Sequence, residues 1–244
     1  MMKRIFLIGT MIVLAIVAIG AVYVLRPPTE ASAPIQAIAL VEEQEAEVSD
    51  ETTVVSNTTQ ATDTEAGTLL IFEISQDDSQ VSFDLDEDLR GARTTVLGVT
   101  DQVAGQIALN PTDLSTVQVG TIQVNARTLA TDNDFRNRAI QNEILDTGSY
   151  EYITFTPTAV EGLPDNIGVN ETVSFTIVGD LTIRDVTQQV TFDVTATLVS
   201  ETELNGTASA TISRQDYDLT IPSVPQVANV DEEVLLVIDF AAST

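Results

Sequence analysis

The 244-residue sequence contains no histidine, no cysteine and no tryptophan. Without cysteine the chain forms no disulfide and carries no lipid-modified cysteine. Because histidine is also missing, the chain lacks the ligands of a Cys/His zinc site and the base of a Ser-His-Asp or Cys-His nucleophile. A general acid or base would have to be a carboxylate, a tyrosine or a water polarised by arginine. The composition therefore argues against an enzyme, and it predicts no metal site and no cofactor.

Basic residues are also scarce, with 10 Lys+Arg against 37 Asp+Glu and a formal net charge of −27. A protein of this charge repels a phosphate backbone, so the sequence predicts no nucleic-acid partner. The charge is unevenly distributed along the chain. All 37 acidic residues follow residue 26, together with only seven arginines, so this part carries a net charge of −30.

One long apolar run stands near the N-terminus. Residues Ile5 to Leu25 carry no charge and follow Lys3 and Arg4. A helix of this length spans about 32 Å, enough to cross a hydrocarbon core of about 30 Å. Since the cations precede the run, its N-terminus is predicted to be cytoplasmic. Residues 1–26 are thus predicted to be a single-pass anchor that contacts the cell membrane through residues 5–25 and leaves the rest extracytoplasmic.

A cleaved signal peptide is the alternative, because Ala31-Ser32-Ala33 has the small-x-small form of a cleavage site. The apolar run exceeds the roughly 7–15 residues usual in a signal peptide, which favours the retained anchor. Either interpretation exports the remaining chain. Residues 27–66 hold nine acidic residues and no basic or aromatic one, so they are predicted to form a disordered acidic tether. An acidic interaction tail is the alternative function for this segment.

Residues 67–244 form the predicted folded domain, in which apolar residues occupy every second position. The pattern runs from Val173 to Ile183 and again from Val190 to Leu198, with a short link at Arg184-Asp185 that predicts a hairpin. A phase slip at Gly120 predicts a bulge. Residues 133–145 lack this alternation and are predicted to form one short helix. Eight or so long strands predict an all-β fold, an antiparallel up-and-down β-barrel rather than a sandwich.

Small residues mark one predicted strand, where Gly206, Ala208 and Ala210 share the apolar face. Either they leave an apolar cavity inside the barrel, or they face large side chains across a packed core. For the cavity, the predicted lining comprises Phe83, Val103, Ile107, Val124, Phe155, Phe175, Ile177, Leu181, Phe192, Val194, Ala208, Ala210, Ile212 and Leu236.

Several motifs suggest a family. Gly179–Thr187 (GDLTIRDVT) resembles a G-x-L-T-I-x-G-V-T hairpin, Ser213–Tyr217 (SRQDY) resembles an R-x-D-F/Y-G segment, and Ser79–Phe83 (SQVSF) resembles the start of the domain. On these residues the chain resembles the YceI-like family of lipid- or polyisoprenoid-binding proteins. The resemblance runs from about Phe72 to Phe240. It implies an exported bacterial protein with an extended lipocalin-like barrel and a hydrophobic tunnel for an isoprenoid or another long-chain amphiphile.

The chain departs from that pattern in its helix region, where Arg136–Ile140 reads RNRAI and many members have Arg-Asp-x-His-Leu. Three arginines, Arg127, Arg136 and Arg138, are candidate contacts for an anionic head group through bidentate hydrogen bonds. The alternative is that each arginine is a counter-ion to nearby carboxylates. The acid pairs Asp84/Asp86 and Asp216/Asp218 have the i,i+2 spacing of neighbours on one strand face, which would suit a glycosidase.

The combined interpretation is an exported, membrane-tethered protein that holds a polyisoprenoid or fatty lipid inside its barrel. The principal alternative is a solid-core structural or adhesion domain without a small ligand, and a carboxylate-based hydrolase is a third hypothesis. The expected partners are a long-chain lipid and the membrane, and the sequence is also compatible with a homodimer.

Overall fold

The computed structural model describes residue 27, residues 29–40 and residues 69–244. This part of the chain forms a single antiparallel sheet of thirteen strands. The strands are β1 (Leu70–Ile74), β2 (Gln80–Leu89), β3 (Ala92–Thr100), β4 (Val103–Ala104), β5 (Gln106–Asn110), β6 (Asp113–Val119), β7 (Ile122–Asn125), β8 (Tyr152–Glu161), β9 (Glu171–Ile183), β10 (Val186–Ser200), β11 (Glu203–Ser213), β12 (Val227–Ala228) and β13 (Glu233–Ser243).

Strands β7 to β11 form the up-and-down meander predicted by the alternating sequence. The predicted hairpin is confirmed: β9 and β10 pair from Ile183↔Val186 outward to Glu171↔Leu198. Its two-residue link places Arg184 in the left-handed conformation, with φ of 59°. A positive φ at the first link residue matches the right-handed twist of the paired strands.

The predicted bulge at Gly120 is also confirmed. Strands β5 and β6 pair Ile107 with Val119, whereas β4 and β7 pair Val103 with Val124, a register that differs by one residue. The change of register falls at two glycines: Gly105 lies between β4 and β5, and Gly120 lies between β6 and β7. A Cβ atom on Gly105 would overlap the Ile122 side chain, so only glycine lets β7 pack this closely against the chain between β4 and β5. Such a glycine is typical of a bulge.

The sheet curls into an antiparallel half-barrel whose hydrogen-bonded order runs from β4 to β6, and the chain itself links the two ends, because β4 continues into β5 through Gly105. Strand β5 pairs with β1, β1 with β13 and β13 with β11, while the meander leads back through β8 and β7 to β4. The strict up-and-down order is wrong for the first strands, because β2 leaves this path and pairs with β13, β3 and β12. The chain turns between β1 and β2, where Ser79 Oγ accepts a hydrogen bond from Ala241 N at 3.0 Å.

The predicted helix is present in two parts. Helix α1 (Asp134–Ala139) continues directly into a π-helical turn at Ile140–Ile144. Asn133 caps α1, its side-chain oxygen accepting hydrogen bonds from the backbone N–H groups of Phe135 and Arg136. Ile140 and Leu145 are buried and anchor this insertion on the barrel core.

None of the helices in the described ranges is long and apolar enough to cross a membrane. The predicted anchor, residues 1–26, lies outside the described residues.

Candidate functional site

An apolar cavity of about 90 Å³ lies inside the barrel. All of the side chains that line it are hydrocarbon or aromatic, and they come from β1, β5 to β11, β13 and the loop after β8. Half of the fourteen side chains predicted to line a cavity do so. They are Ile107, Phe155, Phe175, Ile177, Phe192, Val194 and Ala208.

The other seven predicted residues contribute to the hydrophobic core outside this cavity. Phe83 and Leu236 are partly buried and pack against the core. The remaining five are buried in it: Val103, Val124, Leu181, Ala210 and Ile212.

Other lining residues are absent from the sequence-based set. Four of them continue the alternating apolar pattern of their strands, which could therefore have identified them: Val173, Ala196, Ile238 and Phe240. Leu163 and Ile167 lie in the loop between β8 and β9, where no periodicity marks a buried face, and only the fold brings them to the cavity.

Some of the small residues line the cavity and others face a large side chain, so both interpretations of the small-residue pattern apply, at different positions. Ala196 and Ala208 line the cavity. Gly206 instead accommodates a large side chain, since a Cβ atom there would lie 2.6 Å from Phe240 Cζ. A Cβ on Gly179 would likewise lie 2.6 Å from Phe155 Cζ. Large rings therefore occupy part of the space that the glycines leave, and the residual cavity is small.

Arg127 lies in a polar network beside the barrel. Its Nη1 pairs with Glu151 Oε2 at 2.8 Å, and its Nε donates to the Thr147 carbonyl at 2.8 Å. Both charged side chains are largely buried. Ser32 joins the network by donating from its backbone N–H to Glu151 Oε1 at 2.7 Å and from its Oγ to Glu151 Oε2 at 2.5 Å. Arg127 thus acts as the counter-ion of Glu151.

Residues 29–40, which we call the N-terminal strap, lie along the barrel from this network. Ile35 is 3% exposed, and its carbonyl accepts a hydrogen bond from Gln76 Nε2 at 2.8 Å. Leu40 N donates to Gln106 Oε1 at 3.0 Å. The strap falls within the segment predicted as a disordered tether, and these residues of it contact the folded domain.

The other two candidate arginines lie on the inserted helix. Arg136 pairs with Glu87 at 2.9 Å and with Asp132 at 2.6 Å. Glu87 is buried, so Arg136 neutralises a carboxylate held inside the protein. Arg138 lies over the ring of Phe135, 5.9 Å from its centroid. A role for any of the three in binding a head group stays a prediction.

The two candidate acid pairs lie in different settings, and only Asp84 and Asp86 share a strand, β2. Asp216 lies in a 3-10 turn at Arg214–Tyr217, and Asp218 follows it in the left-handed conformation, so the prediction that this pair shares a strand face is wrong. Burial, together with the charge of Asp216, raises the pKa of the intervening Tyr217 to about 12. Asp86, on β2, accepts a hydrogen bond from Thr95 and lies 3.5 Å from Arg93. Within the described ranges, no three acidic side chains are placed to hold a metal ion.

The Glu151 network predicts a pH dependence. Burial alone raises the pKa of the Glu151 carboxyl, but hydrogen bonds from Ser32 and Asn125 and the charge of Arg127 outweigh burial and lower the pKa. A carboxyl whose pKa is lower in the folded state stabilises the fold above its unfolded pKa, and this contribution disappears as the pH falls through the folded pKa. Glu151→Gln should lower the free energy of unfolding by about 1–3 kcal/mol at pH 7.

The loss should shrink as the pH falls below the ordinary glutamate pKa of about 4.3, and it should disappear only below the lowered pKa of the folded state, where the parent carboxyl is protonated as well. Glu161→Gln, which changes an exposed carboxylate at the far end of β8, the strand that begins directly after Glu151, is the matched control and should have little effect. If Glu151→Gln destabilised the protein equally at pH 7 and at a pH below the folded pKa, the proposed role of the charge would be wrong.

Solved structures share this architecture. The BcnA protein of Burkholderia cenocepacia matches with a TM-score of 0.56 and 17% identity, covering 70% of this chain and 99% of that protein. A polyisoprenoid binding domain from Saccharophagus degradans, described as implicated in plant cell wall breakdown, matches with a TM-score of 0.58 and 13% identity, covering 71% of this chain and 98% of that domain. At these identities the matches show a shared fold. No curated protein sequence matches the chain.

The family model of the YceI-like domain matches residues 72–242. This range begins in β1, ends in β13 and contains the barrel, the inserted helix and every residue that lines the cavity. The match confirms the resemblance seen in the sequence, which runs from about Phe72 to Phe240. The chain therefore belongs to the YceI-like family.

Proposed function

We propose that this protein binds a polyisoprenoid or another long-chain amphiphilic lipid inside its barrel. The observation that carries the proposal is the interior cavity, whose lining contains no polar side chain. A site of this kind offers a ligand burial of hydrocarbon and no hydrogen bond, so it selects for apolar chains. The similarity to a solved polyisoprenoid binding domain supports the same class of ligand.

The size of the cavity sets a condition on binding. Its volume of about 90 Å³ is smaller than the ~150 Å³ engineered cavity that accommodates benzene, and far below the roughly 300 Å³ at which ordinary ligand pockets begin. A long chain can therefore enter only if side chains such as Phe175 and Phe240 rotate or the strands separate. The proposal thus requires two states of the barrel, of which the described one is nearly closed.

The small volume also favours the second candidate function, a solid-core exported domain that serves a structural or adhesive role. In that case the ring of Phe240 over Gly206 and the ring of Phe155 over Gly179 are permanent core packing. The two functions differ in one measurable property, because only the lipid-binding barrel takes up a hydrocarbon chain.

The test is to purify residues 27–244 from bacterial cells without detergent, extract the protein with organic solvent and analyse the extract by mass spectrometry. Native mass spectrometry of the same sample should show one lipid for each barrel. Delipidated protein should bind a dansyl-labelled fatty acid with a blue shift in emission, and its melting temperature should rise as the probe concentration increases. A domain that contains no lipid and leaves the probe in water would instead be the solid-core alternative.

The proposal includes export and tethering through residues 5–25, which the uncharged run and the preceding Lys3 and Arg4 support. Cell fractionation should find the full chain in the membrane fraction and the 27–244 form in soluble fractions. Protease added outside spheroplasts should digest the exported domain. Protection from the protease would overturn the predicted orientation.

A further inference from the structure

The barrel wall is incomplete between β6 and β8. Strand β6 pairs with β5 along one edge, and no strand in the described residues pairs with its other edge. Strand β8 pairs with β7 only from Tyr152 to Phe155, while its remaining residues pair with β9 alone. Residues 115–120 and 157–161 therefore face each other across a gap without a backbone ladder, which we call the lateral slot.

The lateral slot is closed at both ends. At one end, Ile122 pairs with Phe155, and the hydroxyls of Thr121 and Thr156 lie 3.4 Å apart. At the other end, Leu114 N donates to the Asp165 carbonyl and Ile167 N donates to the carbonyl of Pro111, each at 2.9 Å. Five to six strand residues separate the two ends, which corresponds to about 17 Å of strand. The slot is thus a bounded opening in the wall rather than a frayed edge.

A groove of about 590 Å³ lies over the lateral slot. Four of the residues that line it also line the interior cavity: Leu114, Val117, Val119 and Leu163. One layer of apolar side chains therefore separates the groove from the cavity. The outer part of the groove also contains polar residues, including Gln118 and Asp165. The groove is therefore apolar toward the cavity and polar toward solvent, which suits the hydrocarbon chain and the polar head of an amphiphile.

The end of the N-terminal strap forms part of the rim of this groove. Leu40 lines the groove, and a Cβ atom on Gly120 would lie 3.2 Å from Leu40 Cδ2. The absence of a side chain at Gly120 thus lets Leu40 pack closely at the end of the slot, where the strap crosses the bulge between β6 and β7.

We propose that the lateral slot is the route by which a lipid chain passes into and out of the barrel. This inference rests on the proposed function and specifies how the closed barrel opens. Moving β6 and β8 apart breaks no backbone ladder, whereas parting any of the pairs in the meander breaks a continuous series of hydrogen bonds. Rotation of Val117, Val119 and Leu163 then joins the groove to the cavity.

The chain lacks cysteine, so single cysteines can be introduced without background. Gln118→Cys combined with Ala159→Cys places one thiol on each side of the slot, and a short bismaleimide joins them. Stopped-flow uptake of a dansyl-labelled fatty acid is compared before and after cross-linking, with the cross-link verified by mass spectrometry. The joined protein should take up the probe at least tenfold more slowly, and protein filled before cross-linking should release it more slowly by a similar factor.

Two controls separate closure from chemical modification. The same double variant treated with N-ethylmaleimide carries adducts of similar chemistry without a bridge, and it should keep most of the parent uptake rate. Thr191→Cys, exposed on β10 and away from the slot, should tolerate a bulky maleimide without a change in rate. The same bulky adduct on Ala159→Cys alone should slow uptake.

The outcomes distinguish this inference from the proposed function. If the unmodified protein binds the probe and the cross-linked protein binds it at the same rate, the lateral route is wrong and lipid binding stands. If the unmodified protein takes up no probe at all, the proposed function fails and the route fails with it.

Discussion

Replacing Ala208 by phenylalanine is expected to reduce lipid binding at least 100-fold while the domain remains folded. Ala208 lies on β11 and lines the apolar cavity. The cavity of about 90 Å³ is smaller than the ~150 Å³ that accommodates benzene, so a phenyl ring attached to its wall occupies the space that the lipid chain would use. Overpacking of this kind costs about 1–3 kcal/mol, which a domain of ordinary stability tolerates.

Binding of a dansyl-labelled fatty acid measures the loss, and circular dichroism checks the fold. Thr211→Phe introduces the same ring at an exposed position of the same strand, and it should leave the affinity within a factor of two of the parent value. If Ala208→Phe binds the probe with the parent affinity, the lipid does not occupy this cavity, and the proposal that the interior is the binding site fails.

The strands and the helix could be predicted because their signals are local. In Val173–Ile183 and Val190–Leu198, apolar and polar residues alternate because each strand has one buried face and one exposed face. This pattern identifies β9, β10 and their hairpin without knowledge of the strands that pair with them. The bulge at Gly120 was visible for the same reason, as a one-residue slip in that alternation. Asp132 and Asn133 both have the side chain of a helix cap, and in the structure Asn133 caps the inserted helix.

The site could be predicted only in part, because its details depend on contacts between distant residues. Whether a small residue leaves space depends on what faces it, and Phe240 fills the position of Gly206 while Ala208 stays open. The partner of each arginine depends on the fold as well: Arg136 meets Glu87, which is 49 residues away. The lateral slot is a missing pairing between β6 and β8, and the alternation of either strand gives no sign of it.

Replacing Phe192 by alanine is expected to lower the free energy of unfolding by about 3–5 kcal/mol. Phe192 is buried on β10, and its ring contacts that of Phe155 edge to face, with the centroids 4.8 Å apart. Its removal forfeits hydrocarbon burial and this ring contact, and it leaves a larger cavity whose walls cannot fully collapse. For a domain of this size the melting temperature should fall by roughly 10 °C.

The same substitution should make the protein respond more strongly to lipid. Phe192 lines the cavity, so its removal enlarges the apolar space that a chain can fill, and saturating lipid should restore part of the lost stability by binding only the folded state. Phe135→Ala removes an identical ring that is 72% exposed, and it should cost less than about 1 kcal/mol with no added response to lipid. A Phe192→Ala variant that is destabilised as expected but gains nothing from lipid would indicate that the interior of this barrel is a solid core.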